Sequence, residues 1–333
     1  MQEVTYLPLQ TGSAAPERGE LFSILLRLHP IEVGWVSPSA GREAHAAFLD
    51  IVRQNDEALA EQLHQPNQRR PFTVGLLQGF NHLTSTQLEE VITKNQKVQV
   101  SPGQVYWLRI TILDAAIFEV LFQHLITKPR TFIIRLGEAR FEVSRLIGSP
   151  EAGAAANSWA SHSSFADLSA LTGLQREYAF EFATPTAFSM GQKSWGKLMN
   201  LLPEPASVFE SLAKQWEVFA PAHLRLTATD LNPRDFVSWC AESLIVACYR
   251  LETRYLPSNK FAQPGFQGTI TYELKRAQAS REARWLTPLA HFALFSGVGY
   301  KTSMGMGQTR CINLARAKMA GTDIVGETVE SSR

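Results

Sequence analysis

Cysteine is scarce in this 333-residue chain. The three residues, Cys240, Cys248 and Cys311, are an odd number without C-x-x-C spacing, which excludes a disulfide framework and a cysteine-based zinc site and points to a reducing cytoplasm. Long apolar runs are also missing. No stretch reaches the roughly 18 residues of a membrane span, and Met1 to Gln10 has neither the basic nor the apolar region of a secretory leader, so a soluble protein is expected. There is no excess charge of either sign, since 32 basic against 31 acidic side chains leave +1, and a surface coated in positive charge is excluded while a local cationic patch is not. H-E-x-x-H, an EF-hand loop and close carboxylate clusters are all absent, so neither a metal nor another cofactor is expected. What the chain does have is 45% hydrophobic and 10% aromatic residues with ordinary glycine and proline, the material of one or two globular domains.

Periodicity arranges that material in two rounds. Leu21 to Glu32 reads as a buried strand, and Arg42 to His64 as two short helices broken at Asn55-Asp56. Phe72 to Phe80 and Val105 to Leu113 are extended, with a polar connection from Thr84 to Gly103 between them. Asp114 is placed to cap a helix over Ala115 to Ile126, and Arg130 to Ile147, which contains Gly137, reads as a strand pair or one bent strand. The Gly-, Ala- and Ser-rich stretch from Gly148 to Gly173 resembles a linker. Beyond it come a strand (Glu177 to Phe188), a helix (Glu204 to Phe219), two strands (Ile245 to Leu256 and Phe266 to Leu274), a helix (Arg281 to Phe295) and a last strand from Gly307 to Leu314. The fold class is therefore α+β, with two tandem ferredoxin-like (RRM-like) βαββαβ domains. The expected division is an extension over 1–20, domains over 21–150 and 175–315, a linker over 151–174 and a polar tail over 316–333.

The densest local signal is SGVGYKTSMGMGQTR, Ser296 to Arg310, which carries Gly297, Gly299, Gly305 and Gly307 directly after a predicted helix. Such glycines permit a concave nest of backbone N–H groups for phosphate oxygens, assisted by Lys301 and Arg310. The competing reading is a helix C-cap followed by a tight turn. Neither the G-x-G-x-x-G fingerprint nor the P-loop pattern fits.

The block AHFALFSGVGYKTSMGMGQTR resembles the C-terminal signature of the CRISPR-associated endoribonucleases that cut precursor CRISPR RNA, members of the RAMP superfamily. LAEQLHQPNQRRPFTVGLL (Leu59 to Leu77) and FATPTAF (Phe182 to Phe188) resemble two further segments of that family. The resemblance implies two ferredoxin-like folds in tandem, binding of a repeat RNA stem-loop, and metal-independent cleavage at the 3′ base of the stem.

Metal-free RNA cleavage needs a base for the 2′-OH, an acid for the departing 5′-oxygen and a cation for the phosphorane. Histidine suits the first two roles. Of the eight histidines, His64 falls at the family's catalytic histidine, at the end of a predicted helix and ahead of Arg69-Arg70. His45 lies on the same helical region and is the candidate partner, because the positions where relatives carry a second proton-transfer residue fall here near Phe48 and Leu49. Arg70 corresponds to the family's basic residue before its Phe-Thr pair and can fork onto phosphate. Each has a plain structural alternative: a capping histidine, a packed histidine and a solvated basic pair.

RNA contacts are expected from Arg69, from Lys193, Trp195 and Lys197 in GQKSWGK, from Arg250 and Arg254, and from the glycine loop with Tyr300, Lys301 and Arg310. Val237 to Arg310 holds nine Lys or Arg against four Glu and no Asp, although Glu252 sits between the two arginines of its predicted strand. The expected partner is a CRISPR repeat RNA stem-loop, with other CRISPR effector subunits as further partners, no membrane, and the oligomeric state left open. Two other readings stand beside this one: a noncatalytic RAMP subunit that binds guide RNA, and a phosphate-ligand enzyme unrelated to RNA.

Overall fold

The computed structural model describes residues 19–65, 69–127, 132–149, 159–257, 262–275 and 280–312. In the amino-terminal half β1 (Glu20–Pro30) and β2 (Gly34–Val36) precede helices α1 (Gly41–Arg53) and α2 (Glu57–His64), then β3 (Phe72–Val74), α3 (Ser85–Thr93), β4 (Val98–Val100), β5 (Tyr106–Ile112), α4 (Ala115–Thr127), β6 (Ile133–Leu136) and β7 (Ala139–Ile147). A short β8 (Ser161–Ser164) and α5 (Phe165–Ser169) follow. The carboxyl-terminal half comprises β9 (Glu177–Thr186), β10 (Phe188–Lys193), β11 (Gly196–Asn200), α6 (Pro205–Phe219), α7 (Pro233–Ser243), β12 (Leu244–Leu256), β13 (Gln263–Leu274), α8 (Leu286–Ser296) and β14 (Thr309–Ile312).

The first sheet runs β3-β5-β1-β7-β6 and the second β12-β13-β9-β14, all antiparallel. Taking the four principal strands of each half in chain order, both sheets stand second-third-first-fourth, the ferredoxin-like arrangement expected from the sequence. The break between α1 and α2 falls as expected, with the Asp56 carboxylate accepting from the Leu59 N–H at 2.9 Å. Asp114 likewise accepts from the Ala116 N–H at 2.9 Å.

Two hydrophobic cores result, and the way they meet explains the strand patterns. In β1, Phe22, Ile24, Leu26 and Leu28 face the first core, while Leu21 on the opposite face joins the second. A strand buried on both faces reads as a continuous apolar run, not an alternation. Helix α8 (LTPLAHFALFS) is apolar nearly all round because it packs on β14 and α6 and also lies against β1, β3 and β5 of the other half. Thr111 Oγ donates to the Phe295 carbonyl at 2.5 Å, and Arg109 donates to that of Leu294. The end of α8 is thereby tied to the amino-terminal sheet.

Three sequence expectations need correction. The polar Thr84 to Gly103 segment contains α3, closed by a Thr84/Gln87 capping box, together with β4. Only Phe72–Val74 of the expected extended segment is strand, and beyond it the chain stays on β5 through the Gly75 N–H to the Arg109 carbonyl and an isolated Gln78–Trp107 bridge. Within the stretch read as a linker, β8 pairs with β1 and Phe165 is fully buried in the second core. The remainder of that stretch from 150 to 158, most of the expected extension and the expected tail lie outside the described residues. No described helix is long and apolar enough to cross a membrane.

Candidate active site at the junction of the two halves

The turn Lys301–Gly305 reaches from the end of α8 onto the amino-terminal half, where it packs on α1 and β3. The Gly305 N–H donates to the Val74 carbonyl at 2.9 Å. The Met304 carbonyl lies where a side chain at Gly41 would begin. One helical turn along α1 from Gly41 is His45, and its Nδ1 is 2.9 Å from the Ser303 carbonyl oxygen, a contact 258 positions apart in the chain. A carbonyl only accepts, so Nδ1 carries the proton and Nε2 carries the lone pair. Nε2 has no partner among the described residues.

The His45 ring is 7% exposed and stacks on Phe72 with centroids 5.5 Å apart. Burial first, then the Arg70 charge and to a smaller extent His64, push its pKa down to about 4, against the Ser303 hydrogen bond that raises it. Arg70 and His64, also singled out on the sequence, are thus near enough to bear on His45. His64 closes α2 with its side chain exposed. Because the folded value for His45 lies below the 6.5 of the unfolded chain, neutral His45 stabilises the fold above pH 6.5, and this contribution is lost as pH falls towards 4. Chemical-denaturation midpoints of His45→Asn are accordingly expected to fall less steeply than those of the parent protein between pH 6.5 and 4. Parallel midpoint curves for the two proteins would refute the assignment.

Arg69 and Arg70 line a groove of about 460 Å³ with Ser189, Met190, Lys214, Tyr300 and Lys301. Lys197 Nζ lies 4.3 Å above the Tyr300 ring centroid and donates to its hydroxyl at 3.0 Å, while Lys301 Nζ is 5.2 Å from the same ring. Burial above all, and to a smaller extent Arg42 and Lys197, lower the Lys301 pKa against the opposing effect of Tyr300. At the tip of the β10–β11 hairpin Lys193 is exposed, and Trp195 is 70% exposed.

The other residues expected to touch RNA are placed differently. The N–H groups of Gly299, Tyr300, Gly305 and Gly307 donate to Ser211 Oγ and to the Ala187, Val74 and Pro185 carbonyls, so they do not form an open phosphate nest. Gly307 has φ +70 and would drive a Cβ into the Val298 carbonyl, and Gly297 caps α8. These glycines let backbone approach backbone, which supports the competing turn reading. Arg310 is 8% exposed, paired with Glu181 at 2.7 Å, and its guanidinium carbon lies 4.3 Å from the Trp159 ring centroid. Arg109 covers the same indole at 4.8 Å and donates to Ser23 Oγ at 2.9 Å. Arg310 is therefore part of the seam between the halves. Arg254 is held by Glu252 at 2.7 Å and by Glu89 of α3. Arg250 is exposed on β12, in register through Thr269 with Glu181.

Sequence reading overlooked Gly41, Ser303, Arg109 and Trp159, whose roles arise only when the halves meet. The one available signal was a glycine at the start of a helix, which is common for other reasons. Among the described residues no group of three or more His, Cys, Asp or Glu is placed to hold a metal ion.

Residues 21–170 match the family description "CRISPR Cas6 N-terminal domain", and residues 180–309 match "CRISPR-associated endoribonuclease Cas6". CRISPR-associated endoribonucleases Cas6 of Streptococcus thermophilus and Mycobacterium tuberculosis are each 29% identical, over 40% and 42% of this chain. Those alignments span 49% and 40% of the relatives' own lengths. Among solved structures, the Thermus thermophilus Cas6 (TTHB231) product complex superposes with a TM-score of 0.69 at 26% identity, over 88% of this chain and 100% of that one. A Cas6 (TTHA0078) substrate mimic complex gives 0.59 at 26% identity, over 88% and 99%.

Proposed function

Because this chain belongs to the CRISPR-associated endoribonuclease Cas6 family, we propose that it cuts CRISPR repeat RNA in precursor transcripts without a metal, by attack of a ribose 2′-OH on the adjacent phosphorus. The products are a 5′-hydroxyl end and a 2′,3′-cyclic phosphate. The observation that carries this reading is Arg70, which lines a cationic groove and whose charge, with a smaller contribution from His64, bears on the uncharged His45 imidazole.

His45 Nε2 takes the 2′-OH proton as the 2′-oxygen bonds to phosphorus, and His64 delivers a proton to the 5′-oxygen as its bond to phosphorus breaks. Arg70 stabilises the charge that builds on the non-bridging oxygens, for which a fixed guanidinium fork is suited. The stem-loop lies along the groove with its backbone on Arg69, Lys197 and Lys301, and Trp195 supplies a surface for base stacking. Other subunits of a CRISPR effector complex are further candidate partners. The deep burial of the His45 ring favours the second reading, a noncatalytic RAMP subunit that holds guide RNA.

The test uses the purified chain, a repeat RNA stem-loop and a chelator. Cleavage is expected to persist in chelator and to vanish when the nucleotide 5′ to the cut is 2′-deoxy, with a cyclic phosphate on the upstream product. Cutting of the deoxy substrate would exclude the attack proposed, and loss of cutting in chelator would exclude its metal independence. Tight RNA binding without any cutting would establish the second reading.

A further inference from the structure

A neutral imidazole has two tautomers, and only one leaves its lone pair on Nε2. Within the amino-terminal half, the described contacts of His45 are its stack on the Phe72 ring and the nearby Arg70 guanidinium, and neither accepts a hydrogen bond from Nδ1. The acceptor comes from the other half. The Ser303 carbonyl sits in a three-residue helical turn entered through Lys301, which is left-handed at φ 56, and left through Gly305 at φ 92. Two anchors hold that turn against the first half. One is the Gly305 to Val74 hydrogen bond. The other is the bare Cα of Gly41, against which the Met304 carbonyl rests so closely that a Cβ there would overlap both the carbonyl oxygen and its carbon.

We infer that the Lys301–Gly305 turn and Gly41 are positioning elements for His45: the turn, admitted by the missing side chain at 41, presents the Ser303 carbonyl that fixes the proton on Nδ1 and reserves Nε2 for the substrate proton. This rests on the reading of His45 as the general base. It gives the glycine-rich turn a role that needs no contact with RNA. It also makes the base a property of both halves together, since the acceptor lies 258 positions from the ring. The proton account is complete within the site. Nδ1 keeps its proton throughout, Nε2 gains one from the 2′-OH, and the resulting imidazolium is stabilised by donating from Nδ1 to the Ser303 oxygen.

The test pairs a spectroscopic signature with kinetics on the full chain. In the parent protein the ¹⁵N shifts of the His45 ring are expected to report the Nδ1–H tautomer at pH 7. In Gly41→Ala the turn is displaced, so the ring is expected to show mixed tautomers and, without the hydrogen bond that favours its charged form, to titrate below the parent value. The single-turnover cleavage rate at saturating protein, which is insensitive to any change in affinity through Lys301, is expected to fall about 10- to 100-fold, with the acid limb of the rate profile moved to lower pH. A Gly41→Ala protein that keeps the parent tautomer, titration and pH profile would overturn the inference, as would an Nε2–H tautomer in the parent. The parent spectrum decides the matter even if Gly41→Ala does not fold. Full activity in His45→Asn would instead remove the premise that His45 is the base, and so separates failure of the proposed function from failure of this inference.

Discussion

Asparagine at position 45 is expected to abolish RNA cleavage while leaving the protein folded and able to bind RNA. The substitution separates two jobs performed by one ring. The asparagine amide can donate to the Ser303 carbonyl from nearly the position of Nδ1, 2.9 Å away in the parent, so the contact between the halves survives. No group remains at the position of Nε2 to take a proton. Loss of a general base typically costs about 10²- to 10⁴-fold, and single-turnover rates at saturating protein isolate that step from binding. His64→Ala is expected to lose at least about 10²-fold through the acid. If His45→Asn cut at the parental rate, His45 would be a packing residue, and His64 would have to act with some group other than this ring.

The second large effect concerns stability. Glu181 is the carboxylate paired with Arg310 at 2.7 Å, and Arg310 shares the Trp159 indole with Arg109, which is 5% exposed. Burial and the Arg310 charge both disfavour the charged form of Arg109. Glu181→Gln leaves two neighbouring guanidiniums in the seam without this carboxylate. Removing one partner of such a pair is expected to cost about 2–4 kcal/mol, toward the lower end because the Glu181 side chain is itself 31% exposed. Urea unfolding with an unchanged slope would measure it. Adding Arg310→Met to Glu181→Gln should restore part of the loss, since the charge that Glu181 balanced goes with it. A midpoint for Glu181→Gln within about 0.5 kcal/mol of the parent would show that the pair contributes nothing and that the seam is held by packing alone.

Local chemistry explains which parts of this fold could be seen in the sequence. The α1–α2 break was legible because Asp56 caps the helix that follows it. The Asp114 cap, the extent of β5 and the helix expected over Glu204 to Phe219, found as α6, were legible for similar reasons, each depending on neighbours within a few positions. Helix α3 was not, although Leu88, Val91 and Ile92 recur at helical spacing, because the stripe is short, none of its residues is fully buried, and polar residues flank it on both sides. Nor was β8, whose Ser-His-Ser-Ser sequence becomes a strand only through pairing with β1 at Glu20 to Ser23. The same distinction runs through the site. His45, His64 and Arg70 could be named from residue type and resemblance. Arg310 was misjudged because a cation next to glycines looks the same in a string of letters whether its carboxylate is Glu181 or a phosphate. The glycines themselves were read as a cradle for a ligand, and what they admit is the protein's own backbone.

The pairing of His45 with Ser303 also orders events during synthesis. Domains generally fold as they leave the ribosome, amino-terminal first. A nascent chain with its first sheet complete would carry the histidine but not yet the carbonyl that orients it. On the proposed reading of His45 as the base, cutting competence would therefore arrive late, only after position 303 has emerged and docked against the first half.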